Sequence, residues 1–208
     1  MTQKQAETLL TDVINGQSHL VWSLPNGYLQ LELDEKPKGI LSGSFNPLHE
    51  GHKKLRDAAE QWLDGPVFYE LPITNADKRP LDFEEIFHRR RQFETHPLAL
   101  TNAPTFAQKS GFLQNVTFVV GFDTAERIVQ PRFYSGEVEL MQQALERIRN
   151  AQCRFLIAGR LQGEMFLTLC DISIPGEFED FFEELPESAF RHDTSSTEHR
   201  RRASSSSD

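Results

Sequence analysis

Cysteine is scarce in this chain. Cys153 and Cys170 are the only two among 208 residues. Two thiols do not build a disulfide framework, so the expectation is a pair of reduced, buried cysteines in a cytoplasmic protein. Long apolar runs are also missing. Val116–Val120 is typical of the longest, far below the ~20 residues that span a bilayer, so no membrane association is expected. Met1–Gln17 is polar and carries Asp12 inside its apolar pattern, which argues against a secretory signal. Positive charge is short as well: 22 Lys and Arg stand against 31 Asp and Glu, a net charge of −9. Duplex binding needs a broad positive face that such a balance does not supply, so no nucleic-acid partner is expected. A small anionic substrate is still admissible, provided that backbone N–H groups, His and Arg are concentrated at compact sites.

What is present reads as one α/β domain with an N-terminal extension. Gln3–Ile14 carries Ala6, Leu9, Leu10, Val13 and Ile14 at helical spacing and is stopped by Asn15-Gly16. Leu20–Trp22 and Tyr28–Leu33 read as short strands around Pro25-Asn26-Gly27. Residues 1–36 therefore form a helix and hairpin extension. From Lys38 onward, apolar strands alternate with helices. Gly39–Ser42, Val67–Leu71, Val116–Val120 and Arg154–Ala158 are expected strands, and Phe166–Ile174 holds at least one more. Gly51–Leu63, Phe83–Phe93, Asp123–Ile128 and Glu137–Asn150 are expected helices, with Asp82 and Glu85 as a capping box for the second. Alternation of this kind implies a Rossmann-like parallel sheet with helices on both faces, spanning residues 37–200. The Ser-rich residues 201–208 are expected to form a disordered tail. The chain carries no internal repeat and does not specify an oligomeric state.

One stretch carries most of the chemistry: Gly43-Ser44-Phe45-Asn46-Pro47-Leu48-His49-Glu50-Gly51-His52. It follows a strand and opens a helix, the place where doubly wound sheets bind ligands. Gly43 allows the backbone to turn and approach a phosphate. The N–H groups of Ser44 and Phe45 can face an anion, and the helix N-terminus adds partial positive charge. His49 and His52, three apart, share one face, and Gly51 leaves room between them. Two imidazoles that donate to phosphate oxygens suit in-line phosphoryl chemistry. Zinc is the rival reading of His-x-x-His, but no Cys lies nearby and no third ligand is evident, so no metal ligands are assigned.

A second candidate anion site lies at Asp193–Arg200. Ser195 and Glu198 form a capping box, Ser195, Ser196 and Thr197 offer N–H and hydroxyl donors, and Arg200 adds a guanidinium fork. Its composition is also that of a solvated tail.

The first string resembles the GxFxPxHxGH signature of the nucleotidylyltransferase superfamily. With Asn46 it is similar to the version found in nicotinamide-nucleotide adenylyltransferases. Thr194–Arg200 resembles the family's ISSTxxR motif, with Thr194 and His199 departing from it. The resemblance implies that His49, His52 and Arg200 stabilise charge on the triphosphate, and that Gly43, Ser44, Phe45, Gly51, Ser195, Ser196 and Thr197 bind ATP. Gly121-Phe122-Asp123 is similar to the family's Gly-x-Asp segment, which implies a place for Gly121 and Asp123 beside the base and ribose, with Asp123 orienting the ribose or holding a water on Mg²⁺; a plain Asp N-cap is the alternative. Asn46 and Lys78, the latter in the loop Asn75–Pro80, are expected to meet the incoming mononucleotide; for Lys78 a solvated loop charge is the alternative. Arg89–Arg91 read mainly as a wet helix face. Trp22, Trp62 and Phe133 are candidates to stack on a pyridine ring, with core packing the favoured reading for each.

The resemblance thus implies an adenylyltransferase that moves AMP from ATP to nicotinamide or nicotinate mononucleotide, with Mg²⁺ bound mainly through the triphosphate. Its partners are then ATP and a small phosphorylated co-substrate. Cytidylyl or pantetheine-phosphate adenylyl transfer, and a non-catalytic nucleotide-binding role, are the alternatives.

Overall fold

The computed structural model describes residues 3–74 and 79–191. Lys78, the Asp193–Arg200 string and the Ser-rich tail lie outside the described residues.

The chain opens with α1 (Gln3–Ile14), then β1 (Leu20–Ser23) and β2 (Leu29–Gln30). Gly27 takes φ +83 in the turn between these strands, a region open to glycine, and its N–H donates to the Leu24 carbonyl at 2.9 Å. Next come β3 (Gly39–Ser42), α2 (Glu50–Leu63), β4 (Val67–Pro72), α3 (Phe83–Arg90) and β5 (Leu98–Thr101). A short α4 (Phe106–Lys109) leads to β6 (Thr117–Gly121), α5 (Phe122–Ile128) and α6 (Val138–Asn150). The chain then forms β7 (Arg154–Ala158), a small hairpin of β8 (Arg160–Gln162) and β9 (Met165–Leu167), and β10 (Phe182–Leu185).

Eight strands make one sheet in the order β10-β7-β6-β3-β4-β5-β1-β2. Pairing is parallel from β10 through β5 and antiparallel only for β5 with β1 and β1 with β2. The expected mostly parallel sheet is therefore present, and the hairpin of the N-terminal segment extends its edge. From β3 the chain steps outward through β4 to β5, then returns to place β6 on the other side of β3. This reversal opens a crevice beyond the carboxyl ends of β3 and β6, the usual ligand position in open α/β sheets.

Alternating strand residues feed two cores. Leu41, Val67, Tyr69, Leu71 and Val119 pack with Leu10 and Val13 of α1, Leu55 and Ala59 of α2 and Ile86 of α3. Ile40, Phe68, Phe118 and Phe155 pack on the opposite face with Ala125 of α5 and Met141, Leu145 and Ile148 of α6. Full burial of side chains such as Leu145 and Ile148 contributes ~1.5–3 kcal/mol each. Among the described residues, no helix is long and apolar enough to cross a membrane.

Several expectations need correction. β5 and β10 are additional strands, and Phe166–Ile174 supplies only the end of the β8–β9 hairpin, followed by a 3-10 turn at Leu169–Asp171. Cys153 is buried, and burial pushes its thiol pKa up, but Cys170 is exposed. Trp22 is a core residue at 4 % exposure, whereas Trp62 is 44 % exposed and donates its indole N–H to Glu183 at 2.8 Å. Phe133, 43 % exposed, has the guanidinium groups of Arg127 and Arg132 within 5.6 and 4.9 Å of its ring centroid. Trp62 thus satisfies its polar edge with a carboxylate, and Phe133 is covered by cations instead of the core.

The sheet also carries a buried ion pair. Lys109 Nζ lies 2.8 Å from Glu70 Oε2, and the Thr101 hydroxyl donates to Glu70 Oε1. Both Glu70 and Lys109 are fully sequestered from solvent, which burial of charge permits only with such pairing.

Candidate active site

Residues 43–52 leave β3 and enter α2 at the crevice. The N–H of Gly43 donates to the Glu70 carbonyl at 3.0 Å, so it extends the β3–β4 ladder and does not face a ligand. Glycine is required there by Phe45: a Cβ at residue 43 would stand 2.9 Å from that ring. Phe45 has φ +40 and a fully buried side chain. Its ring meets His52 at 5.1 Å, Tyr69 at 5.4 Å and Phe93 at 5.1 Å, edge to face in each case. Phe45 thus anchors the loop in the core, and any contact with a nucleotide falls to its backbone.

His49 is the N-cap of α2, and its ring stacks on that of His52 with centroids 3.7 Å apart and planes 22° apart. The backbone N–H of His49 donates to His52 Nδ1 at 3.3 Å. That bond assigns the proton of a neutral His52 ring to Nε2. Both imidazoles are half-buried at the start of a fourteen-residue helix, as the three-residue spacing predicts. Gly51 is buried beneath them. Ser44 and Asn46 are exposed on the loop. Lys53 is bound to Glu50 at 3.0 Å, and this hydrogen bond and charge hold the Glu50 carboxyl below its ordinary pKa.

The loop is held from α3. Gln92 accepts from the Leu48 N–H at 2.7 Å and donates to the Phe45 carbonyl at 3.1 Å, so one amide fixes two loop positions. Arg89 donates to the Ser44 carbonyl at 2.9 Å and pairs with Glu85. Asp82 and Glu85 form the expected capping box that starts α3. Arg90 turns inward to Ser23 Oγ and the Gly27 carbonyl, which corrects the reading of Arg89–Arg91 as a solvated run; only Arg91 is exposed. No motif marks Gln92, because its role depends on a loop 44 residues away.

On the other side of the crevice, Gly121 is the exposed N-cap of α5 and Asp123 lies in the first turn of that helix, so Asp123 is not the N-cap. Its carboxylate pairs with Arg160 at the start of β8. Sequence reading missed Arg160, although a signal exists: β6 and β7 each end in an apolar run, then a glycine, then within two residues a charged side chain. Among the described residues, Ser42 Oγ, at the carboxyl end of β3, is buried without a hydrogen-bond partner.

Behind the loop lies a cavity of about 350 Å³ walled by Leu48, Lys53, Arg56, Tyr69, Gln92 and His96. Burial, with the nearby Arg56 charge, holds the His96 imidazole below its usual pKa. Burial pushes the Tyr69 phenol up to about 12.

No family model matches the chain. Over 132 residues it is 30% identical to a protein of Schizosaccharomyces pombe named "Putative nicotinamide mononucleotide adenylyltransferase". The match takes in 56% of this chain and 51% of that protein, so the chain spans about half the length of the curated relative. The likeness agrees in kind with the mostly parallel α/β sheet.

Proposed function

We propose that this protein transfers the AMP moiety of ATP to a phosphorylated co-substrate, most simply nicotinamide or nicotinate mononucleotide, with release of pyrophosphate. The observation that carries this reading is the stacked His49–His52 pair at the start of α2, set beside the sheet's topological switch point. The chemistry it suits is in-line displacement at the α-phosphate. The co-substrate's phosphate oxygen forms the new bond to phosphorus, and the bond to the β-phosphate bridge breaks. Negative charge grows on the equatorial oxygens, and prealigned N–H donors at that point lower the barrier by ~3–4 kcal/mol each. The nucleophile is already ionised at neutral pH, so no general base is required.

Under this reading His49 and His52 meet the triphosphate, and residues 44–46 offer backbone and the Asn46 side chain to the two substrates. Lys78, Ser195, Ser196, Thr197 and Arg200 are carried as proposed partners of the co-substrate and of the β- and γ-phosphates. Among the described residues there is no cluster of three or more His, Cys, Asp or Glu able to hold a metal. The Mg²⁺ of the proposed reaction would arrive with the triphosphate and supply charge neutralisation there.

The test is incubation with Mg²⁺-ATP and, in separate arms, nicotinamide mononucleotide, nicotinate mononucleotide, phosphopantetheine, and CTP with phosphocholine. A dinucleotide and an equivalent of pyrophosphate are the expected products. Turnover confined to another arm reassigns the co-substrate. Nucleotide binding with no turnover in any arm would overturn the catalytic reading.

A further inference from the structure

Resting on the nucleotide site just proposed, the geometry points to Arg160 as a positioning residue: it holds and neutralises Asp123 so that the pair selects a ribonucleoside that carries phosphates. The register of the sheet brings the two together. Gly121 of β6 pairs with Ala158 of β7, and Asp123 and Arg160 each follow two residues later, past the carboxyl edge. β6 is the strand next to β3, so the pair flanks the same crevice as the histidines.

The pair leaves capacity on both partners. Arg160 Nη1 donates to Asp123 Oδ2, and Asp123 Oδ1 has no other partner among the described residues. Arg160 Nε, although buried, also lacks a partner among them. A carboxylate held by one oxygen accepts donors on the other, and adenosine offers them at its sugar hydroxyls and at the exocyclic amino group of its base, which deoxy nucleotides tell apart. An isolated carboxylate at this rim would repel the phosphates of the same ligand, in a chain whose net charge is already −9. Arg160 resolves the conflict: the acceptor is kept and its charge is cancelled. Loss of Arg160 therefore does harm chiefly because Asp123 remains.

A double-mutant cycle tests this mechanism. The full chain, Arg160→Gln, Asp123→Asn and the double variant are compared for affinity toward Mg²⁺-ATP and its 2′- and 3′-deoxy forms, and for KM and kcat. Both side chains are substantially exposed, at 38 % and 56 %, so the variants should fold, and thermal unfolding checks that they do. The wild type should favour ATP over at least one deoxy form by about tenfold, as a site that pairs a hydroxyl does. Arg160→Gln should weaken ATP about tenfold with kcat within about threefold, and Arg160→Lys should recover part of the loss. In the Asp123→Asn background, which should lose the sugar preference, Arg160→Gln should cost less than about twofold. Equal losses in both backgrounds would mean that Arg160 touches phosphate directly and would overturn the inference, as would an unchanged affinity. If the wild type binds no Mg²⁺-nucleotide, the site itself is refuted; if it binds and the cycle is additive, only the role of Arg160 is.

Discussion

The ring of Phe45 meets the ring of His52 edge to face at 5.1 Å, which links an exposed loop to the centre of the core. The histidine is oriented by a ring that no ligand needs to touch. His52→Ala should lower turnover by about 10²-fold or more, the usual loss for one prealigned donor. Steady-state kinetics on the dinucleotide-forming reaction reads this. A fall of less than tenfold would place His52 away from the reacting phosphate.

Gln92 predicts a different signature. Gln92→Leu leaves the Leu48 N–H and the Phe45 carbonyl without their partner, at a cost of ~1–3 kcal/mol in urea unfolding. Because the loop then wanders, kcat/KM should fall more than this stability loss alone accounts for. Gln92→Glu keeps the acceptor and loses the donor, and should lie between the two. Wild-type kinetics in Gln92→Leu would show that the loop needs no clasp.

The Glu70–Lys109 pair should show strong coupling. Lys109→Met strands a buried carboxylate beside the Thr101 hydroxyl and should destabilise by ~3–5 kcal/mol, whereas Glu70→Leu combined with Lys109→Met should recover most of that loss. Chemical denaturation of the two single variants and the double closes the cycle. Additive losses would show that the two charges do not act as a unit.

His96 gives stability a pH dependence. Its folded pKa lies below the unfolded value of about 6.5. In that window the unfolded chain binds a proton that the folded chain refuses, so stability rises with pH. The contribution is present above about 6.5 and is lost as pH falls through the folded pKa. Urea midpoints measured between about pH 5 and 7 should decline toward acid, and His96→Gln should flatten the slope. A slope unchanged by that variant would assign the effect elsewhere.

Local sequence decided much of this molecule. The alternation of apolar runs with helical stripes specifies a parallel sheet, because each element must bury one face or both. The capping box at Asp82 and Glu85 and the string at residues 43–52 are short-range patterns whose geometry follows from neighbours in the chain. The placing of His49 and His52 on one face required only a helix start and a spacing of three. Tertiary structure decided the rest. Phe45 reads as a loop residue near a ligand, yet it is buried, because Tyr69 and Phe93 reach it from other elements. β5 and β10, four residues each, carry too little periodicity to announce themselves and become strands through parallel pairing with β4 and β7. Gln92 and Arg160 acquire their roles from partners 44 and 37 residues away, and no local pattern encodes a contact that only the folded sheet creates.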